Sequence, residues 1–397
     1  MSPTNEISTP LLNRVQLIAL VIGVLGLVIL LAGAWIGPAS FFEAYLFAFV
    51  FWIGMALGCL ALAMLHQLSG GMWGAVVIRF LEAGMSTAPL MLVLFIPVGI
   101  GLFYLYPWTN PATVANDAVL QHQSGFLNAP FYLIRAVVYF AAWIALAYFL
   151  RRRSLERDRN PDPALTVGLQ YLAALGLVVF GLTGTFAVID WVMSLEPHWY
   201  STVYAAMVLM GGVLGSFAFV IVVVALLEMR APLARVTGSG LFNDLGNLLL
   251  AFVMLWAYLG FSQFLLIYAG NLTQETPWYV HRLQGGWEWI ALAVVLFEFL
   301  IPFLLLVFRD LKRNPRLLAP VASLLVLARL IDVFWLIKPA FSPDQLNVSW
   351  MDFVAPVAIG GLWISLFAWH LKRYPLLPQH DRHLIEKAER ELVHERP

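Results

Sequence analysis

The chain has 397 residues, 61% hydrophobic and only 12% charged, with a mean hydropathy of +0.83. This is too apolar for a soluble globular domain and marks a polytopic membrane protein. Basic and acidic residues balance at 23 each, so no global field favours nucleic acid. The lone cysteine, Cys59, excludes disulfides, four-cysteine iron–sulfur ligation and CxxCH haem attachment within the chain.

Apolar runs of spanning length occur at roughly 15–36, 42–68, 80–105, 130–150, 165–195, 201–228, 241–269, 287–308, 317–338 and 351–371, which predicts ten transmembrane helices in an all-α protein. Ala32-Gly33-Ala34 faintly resembles a signal-cleavage site, but the first run is longer than a signal h-region and reads as a retained helix. In the second and sixth runs, Gly54-xxx-Gly58 and Gly211-xxx-Gly215 have the spacing that lets helices approach closely. Arg14, Arg79, Arg151 to Arg153, Arg157, Arg159, Arg230, Arg235, Arg309, Lys312, Arg313, Arg316, Lys372 and Arg373 all fall on one side of a ten-helix arrangement. Only Arg282 and Lys338 fall on the other. This bias predicts that both termini are cytoplasmic. The charged tail from 375 to 397 reads as a solvated helix or docking segment.

A pattern occurs twice. Ile189-Asp190-Trp191 through Glu196-Pro197 is matched by Ile331-Asp332-Val333 through Lys338-Pro339, each with an acid seven residues before a proline. By helical rise, each Asp is expected roughly 10 Å inside its helix end. Asn160-Pro161 and Asn314-Pro315 turn the chain into the two helices that carry this element. The division predicted is residues 1–40 with helix 1, a first four-helix bundle over 41–197, a second over 198–340, helix 10 over 341–374, and the tail. Helices 2–5 and 6–9 would then be pseudo-symmetric about an axis along the membrane normal.

Charged residues inside spans are costly and so mark candidate sites. Arg135 and Asp190 are expected at similar depth, as a pair that is either a structural clamp or a holder for a proton-accepting carboxylate. Glu196 and His198 would stand at its mouth, as proton exits or plain loop residues. Asp332 has Arg329 three residues away on its own helix. Glu298 sits mid-span with no cation within a helical turn in sequence, and Pro302 withholds the amide that would bond its carbonyl. Desolvation favours the neutral acid there, so Glu298 reads as a proton-exchanging group or a neutral packing acid. On the opposite side His66, Arg79, Glu82 and Asp244 are expected to gather near helix ends, as a proton entry or as bridges and caps. Of the eight histidines only His66 and His370 lie in or at the ends of apolar runs, which argues against a bis-histidine haem.

Several strings resemble a known family. His66-Gln67-Leu68-Ser69-Gly70-Gly71-Met72-Trp73-Gly74, Tyr106-Pro107-Trp108, Leu127 to Arg135 and Asp190 to Thr202 are similar to the membrane subunits of alternative complex III, quinol:cytochrome c oxidoreductases of the NrfD/PsrC-like type. Asp244 to Leu248, Gly260 to Gln263, Gly270-Asn271-Leu272 and Trp278-Tyr279 look most like the ActF subunit. The chain departs from the family at Ile78, beside Arg79, where the family pattern has a second arginine. The resemblance implies a subunit with no redox centre of its own, contacting quinol or menaquinol, beside a sister quinol-binding subunit, an iron–sulfur subunit and c-type cytochrome subunits that carry the clusters and haem c. It leaves three functions open: quinone contact with a transmembrane proton path, a structural anchor, or a secondary transporter. Parallel rather than inverted halves argue against the last.

Overall fold

The computed structural model describes residues 9–160, 162–230 and 233–378. The charged tail beyond 378 and Pro161 of the first Asn-Pro turn lie outside them. Among the described residues, ten helices are long and apolar enough to cross a membrane: α1 (Pro10–Ile36), α2 (Pro38–Ser69), α3 (Met72–Ile100), α4 (Ala129–Arg159), α5 (Pro163–Leu195), α6 (Tyr204–Leu227), α7 (Ser239–Gly270), α8 (Trp287–Val307), α9 (Pro315–Ala340) and α10 (Met351–Lys372). Among the described residues there is no strand. The protein is a multi-pass helical membrane protein.

The helix starts follow local chemistry. Asn128 accepts a hydrogen bond from the Phe131 amide at 3.0 Å with Pro130 in the first turn of α4, and Asn314 accepts from the Arg316 amide at 3.0 Å with Pro315 opening α9. A side-chain acceptor before a proline satisfies one orphan amide and presets the first φ. The two Asn-Pro turns nevertheless differ. Asn160 ends α4 with its backbone, and Asp162 caps α5 by accepting from the Ala164 amide at 2.8 Å. The helix also continues through Arg151, Arg152 and Arg153 to Arg159, beyond the apolar run that marked it, because arginine is a good helix former whatever its solvent.

Two spans are broken where proline dictates. Turns at Ser86–Thr87 and Phe95 interrupt α3 beside Pro89 and Pro97, and the Tyr45 hydroxyl donates to the Leu94 carbonyl at 2.7 Å. In α8, Val295–Leu300 winds as a π-helix, with the Ile301 amide bonding the Leu296 carbonyl. Pro302 has no amide to continue the ordinary ladder, so the register slips by one residue around Glu298.

The centre of the molecule is α2, which packs against α3, α5, α6 and α10. Burial on every side explains why it shows no polar face. Helix α4 packs on α5; α6 contacts α7 and α9; α8 packs on α9; and α1 lies along α10 with its other face open to lipid. A close approach joins α2 and α6. A side-chain carbon added at Gly58 would collide with the Gly212 carbonyl and the Ser216 hydroxyl, and Ser216 donates to the Met55 carbonyl at 2.8 Å. Gly211 and Gly215 turn instead toward α9, where they make room for the Arg329 side chain. Spacing alone marked both glycine pairs but could not say which neighbour each face meets. Gly58→Ala is expected to cost about 1–3 kcal/mol of stability through overpacking, read as a lower unfolding temperature in detergent. Gly125→Ala, with open space around its position, serves as the control.

Candidate functional site: buried charge clusters

The repeated Ile-Asp element, expected about 10 Å inside each helix end, lies at a different distance from the end of the α-helix in its two copies. The α-helical part of α5 stops at Trp191, one residue after Asp190, and continues as a 3-10 turn at Met193–Leu195, with the Ser194 hydroxyl donating to the Asp190 carbonyl at 2.5 Å. Asp190 is still wholly buried, because the Tyr106 hydroxyl reaches the Trp191 carbonyl at 3.0 Å and the segment it belongs to covers the helix end. Asp332 stays five residues inside the end of its α-helix at Ile337.

The first cluster is saturated. Arg135 Nε and Nη2 donate to the two Asp190 oxygens at 2.8 and 2.7 Å, the Tyr139 hydroxyl donates to Oδ2 at 2.8 Å, and Arg135 Nη1 donates to the Phe126 carbonyl at 2.8 Å. The guanidinium lies 3.9 Å from the Phe126 ring centre and 4.3 Å from that of Phe131. Trp191 next to Asp190 sits among Phe49, Phe95, Phe140 and Trp143. A bidentate pair with a third donor and an aromatic wall is a rigid joint between α4 and α5.

The second cluster is not saturated. Arg329 pairs with Asp332 on its own helix and lies 3.6 Å from Glu298 of α8. The sequence shows no cation near Glu298 because the one it meets comes from a different helix. Both Glu298 oxygens are buried without a hydrogen-bond partner, inside the π-helical turn. Two carboxylates therefore share one guanidinium. If both were ionised the cluster would carry one uncompensated negative charge inside a membrane span, which a single proton removes.

A cavity of about 40 Å³ lies between α2, α5, α6 and α9, with Gly54, Trp191, Gly212 and Arg329 in its wall. A space of roughly 10–15 Å³ admits a water molecule, so this one has room. It touches the cation of the second cluster and the residue after Asp190, while none of the three acids lines it.

The loops at the Asp190 end of the molecule place the remaining candidates. Glu196 accepts from Arg282 Nη2 at 2.7 Å and has His281 Nδ1 at 3.7 Å. Arg282 is almost fully buried, stacked 3.8 Å from the Trp278 ring centre, and donates to the Leu336 carbonyl at the end of α9. Glu196 is thus an anchor for the second half. His198 Nε2 stands 2.8 Å from Asp117 with its side chain 60% exposed, well placed to meet water. Desolvation opposes ionisation of Asp117, but amide hydrogen bonds from Leu120 and Val119 and the nearby His198 hold its carboxyl below the usual range. Lys338, the other isolated base of this side, is buried against Glu43 at 2.9 Å and Asp352 at 3.4 Å.

At the opposite end Arg79 binds Glu82 at 2.5 Å, and also Asp158 and the Ser154 hydroxyl from α4. Asp158 went unnoticed in the sequence because it sits in a run of arginines that reads as solvated helix. His66 is buried with its ring edge-on to Trp73. Asp244 does not join them: it is exposed on α7 and takes no part in the Arg79 ion pairs. Among the described residues no three His, Cys, Asp or Glu side chains come together as a metal-binding group.

No protein-family model matches the chain, and no curated protein matches it. The likeness to the NrfD/PsrC-like subunits is carried by the quoted strings alone.

Proposed function

We propose that this protein is a non-catalytic membrane subunit of a quinol-oxidising complex, in which the Glu298–Arg329–Asp332 cluster holds and passes a proton. The observation that carries this reading is the Glu298 carboxyl, buried in a π-helical turn with both oxygens unbonded and one shared cation at 3.6 Å. Such a carboxyl can take up or release a proton without breaking a hydrogen bond of its own, which a purely structural acid would not require. A water-sized cavity borders Arg329, the cation that Glu298 faces, and extends to Trp191 of α5. Glu82 with Arg79 and Asp158 on one side, and His198 on the other, are the proposed terminal exchangers.

The quinol partner, the iron–sulfur and cytochrome subunits and the cytoplasmic position of both termini enter this proposal from the sequence resemblance and the distribution of basic residues. In the same reading Arg135–Asp190 is a clamp rather than a relay, since both Asp190 oxygens accept hydrogen bonds from Arg135 and Tyr139. The test uses the protein with its associated subunits, reconstituted in liposomes, with quinol turnover and proton release measured separately. Glu298→Gln is expected to lower proton release about 10²-fold or more, the scale of a lost positioned proton carrier, while assembly persists. Unchanged proton release in assembled Glu298→Gln would leave a structural anchor as the function.

A further inference from the structure

A second region, which includes none of the residues of the charge clusters, is built around the last turns of α4. A cavity of about 580 Å³ lies between α4, the break in α3 and the end of α10, lined by Pro89, Ile144, Tyr148, Arg151, Arg152 and Arg159 among others. Its volume is within the range of small-molecule sites. Ile144 and Arg159 are about 15 residues apart on one helix, so the wall runs roughly 22 Å along the axis. One end is apolar and the other cationic. Pro89, Ile144, Ala147 and Tyr148 form the lower wall, and Tyr148 is 57% exposed, which opens that wall sideways to lipid. Three guanidinium groups and a single carboxylate, Glu156, form the upper rim.

The middle of the wall is fixed in place. Arg151 Nη1 lies 2.8 Å from the Ser86 hydroxyl and 2.7 Å from His370 Nδ1, and Nη2 donates to the His370 carbonyl at 3.3 Å. Its guanidinium also lies 4.8 Å from the Tyr374 ring centre. A guanidinium has five N–H donors, so these contacts leave capacity for a further acceptor. Arg152 and Arg159 are exposed and have no described ion pair.

We infer that this cavity is a binding site for an acidic phospholipid, its phosphate held by Arg151, Arg152 and Arg159 and its acyl chain lying along Ile144, Ala147 and Tyr148. A soluble anion would satisfy the rim but has no use for an apolar wall that opens to the membrane. A neutral lipid would satisfy the wall but leave the excess positive charge uncompensated. Only an amphiphile with a negative headgroup matches both ends. The inference does not depend on the proton-relay reading, because it uses none of the same residues.

The full-length chain, purified in neutral detergent, is titrated with phosphatidylglycerol, with phosphatidylcholine of the same acyl chains, and with inorganic phosphate. Adduct occupancy is followed by native mass spectrometry and unfolding temperature in parallel. Retention of phosphatidylglycerol in preference to phosphatidylcholine is expected. Arg152→Gln and Arg159→Gln, both at exposed positions, are each expected to weaken it about fivefold. Equal binding of both lipids, unaltered affinity in the double variant, or full displacement by inorganic phosphate would each overturn the proposal, the last by showing a soluble-anion site.

Discussion

Arg329→Leu is expected to destabilise the protein by about 3–5 kcal/mol, whereas Glu298→Leu, removing one of its two partners, is expected to be neutral or stabilising. The opposite signs follow from the charge count. Among the described residues Arg329 is the one cation paired with these two buried acids. Its loss leaves Glu298 and Asp332 without compensation in the membrane, where each has to be neutralised before the span is tolerable. Loss of Glu298 leaves a one-to-one Arg329–Asp332 pair and removes two oxygens that have no hydrogen-bond partner. Arg329→Leu combined with Asp332→Leu should regain much of the lost stability, since the pair is then replaced by apolar volume. Unfolding of the detergent-solubilised variants gives the comparison. A Glu298→Leu variant as unstable as Arg329→Leu would mean that Glu298 is a structural partner of Arg329, and the proposed relay would lose its foundation.

A loss of similar size, about 3–5 kcal/mol, is expected for Arg135→Leu, by a different route. This arginine has two bonds to Asp190, one to the Phe126 carbonyl and two aromatic rings against it. Removing it strands a fully buried carboxylate and also frees the loop that Phe126 belongs to. Arg135→Lys should recover only part of the loss, because an ammonium group cannot make the bidentate contact. Asp190→Asn keeps the shape and the Tyr139 contact but weakens the pair. It should cost stability while leaving proton release in assembled protein close to normal. Loss of proton release in a stable Asp190→Asn variant would move this acid from clamp to relay.

The two pairs have the same origin in sequence, an acid seven residues before a proline, and diverge in the structure for an identifiable reason. In the first half the cation comes from α4 and binds both Asp190 oxygens through Nε and Nη2. In the second half the cation lies on α9 itself, and α8 contributes an acid in place of a base. The likeness of the two strings therefore marks where charge is buried, not how it is compensated.

Much of the architecture is legible from residues alone because its cause is local. Length of apolar run fixes the ten spans, Asn or Asp before proline fixes where α4, α5 and α9 begin, and Pro302 forecasts the disturbed turn at Glu298. The Arg329–Asp332 contact is likewise local, three residues apart on one helix. Contacts between helices carry no such signature in a membrane protein, since nearly every face is apolar and no periodicity says which neighbour it meets. Only the folded chain brings Arg329 to Glu298, Asp158 to Arg79, Arg282 to Glu196 and Lys338 to Glu43, and leaves Asp244 outside. The sequence by itself determined that charges would be buried and on which helices to look for them. Which charge faces which was decided by helix packing, because a buried ion finds its partner across a distance in sequence that no local rule measures.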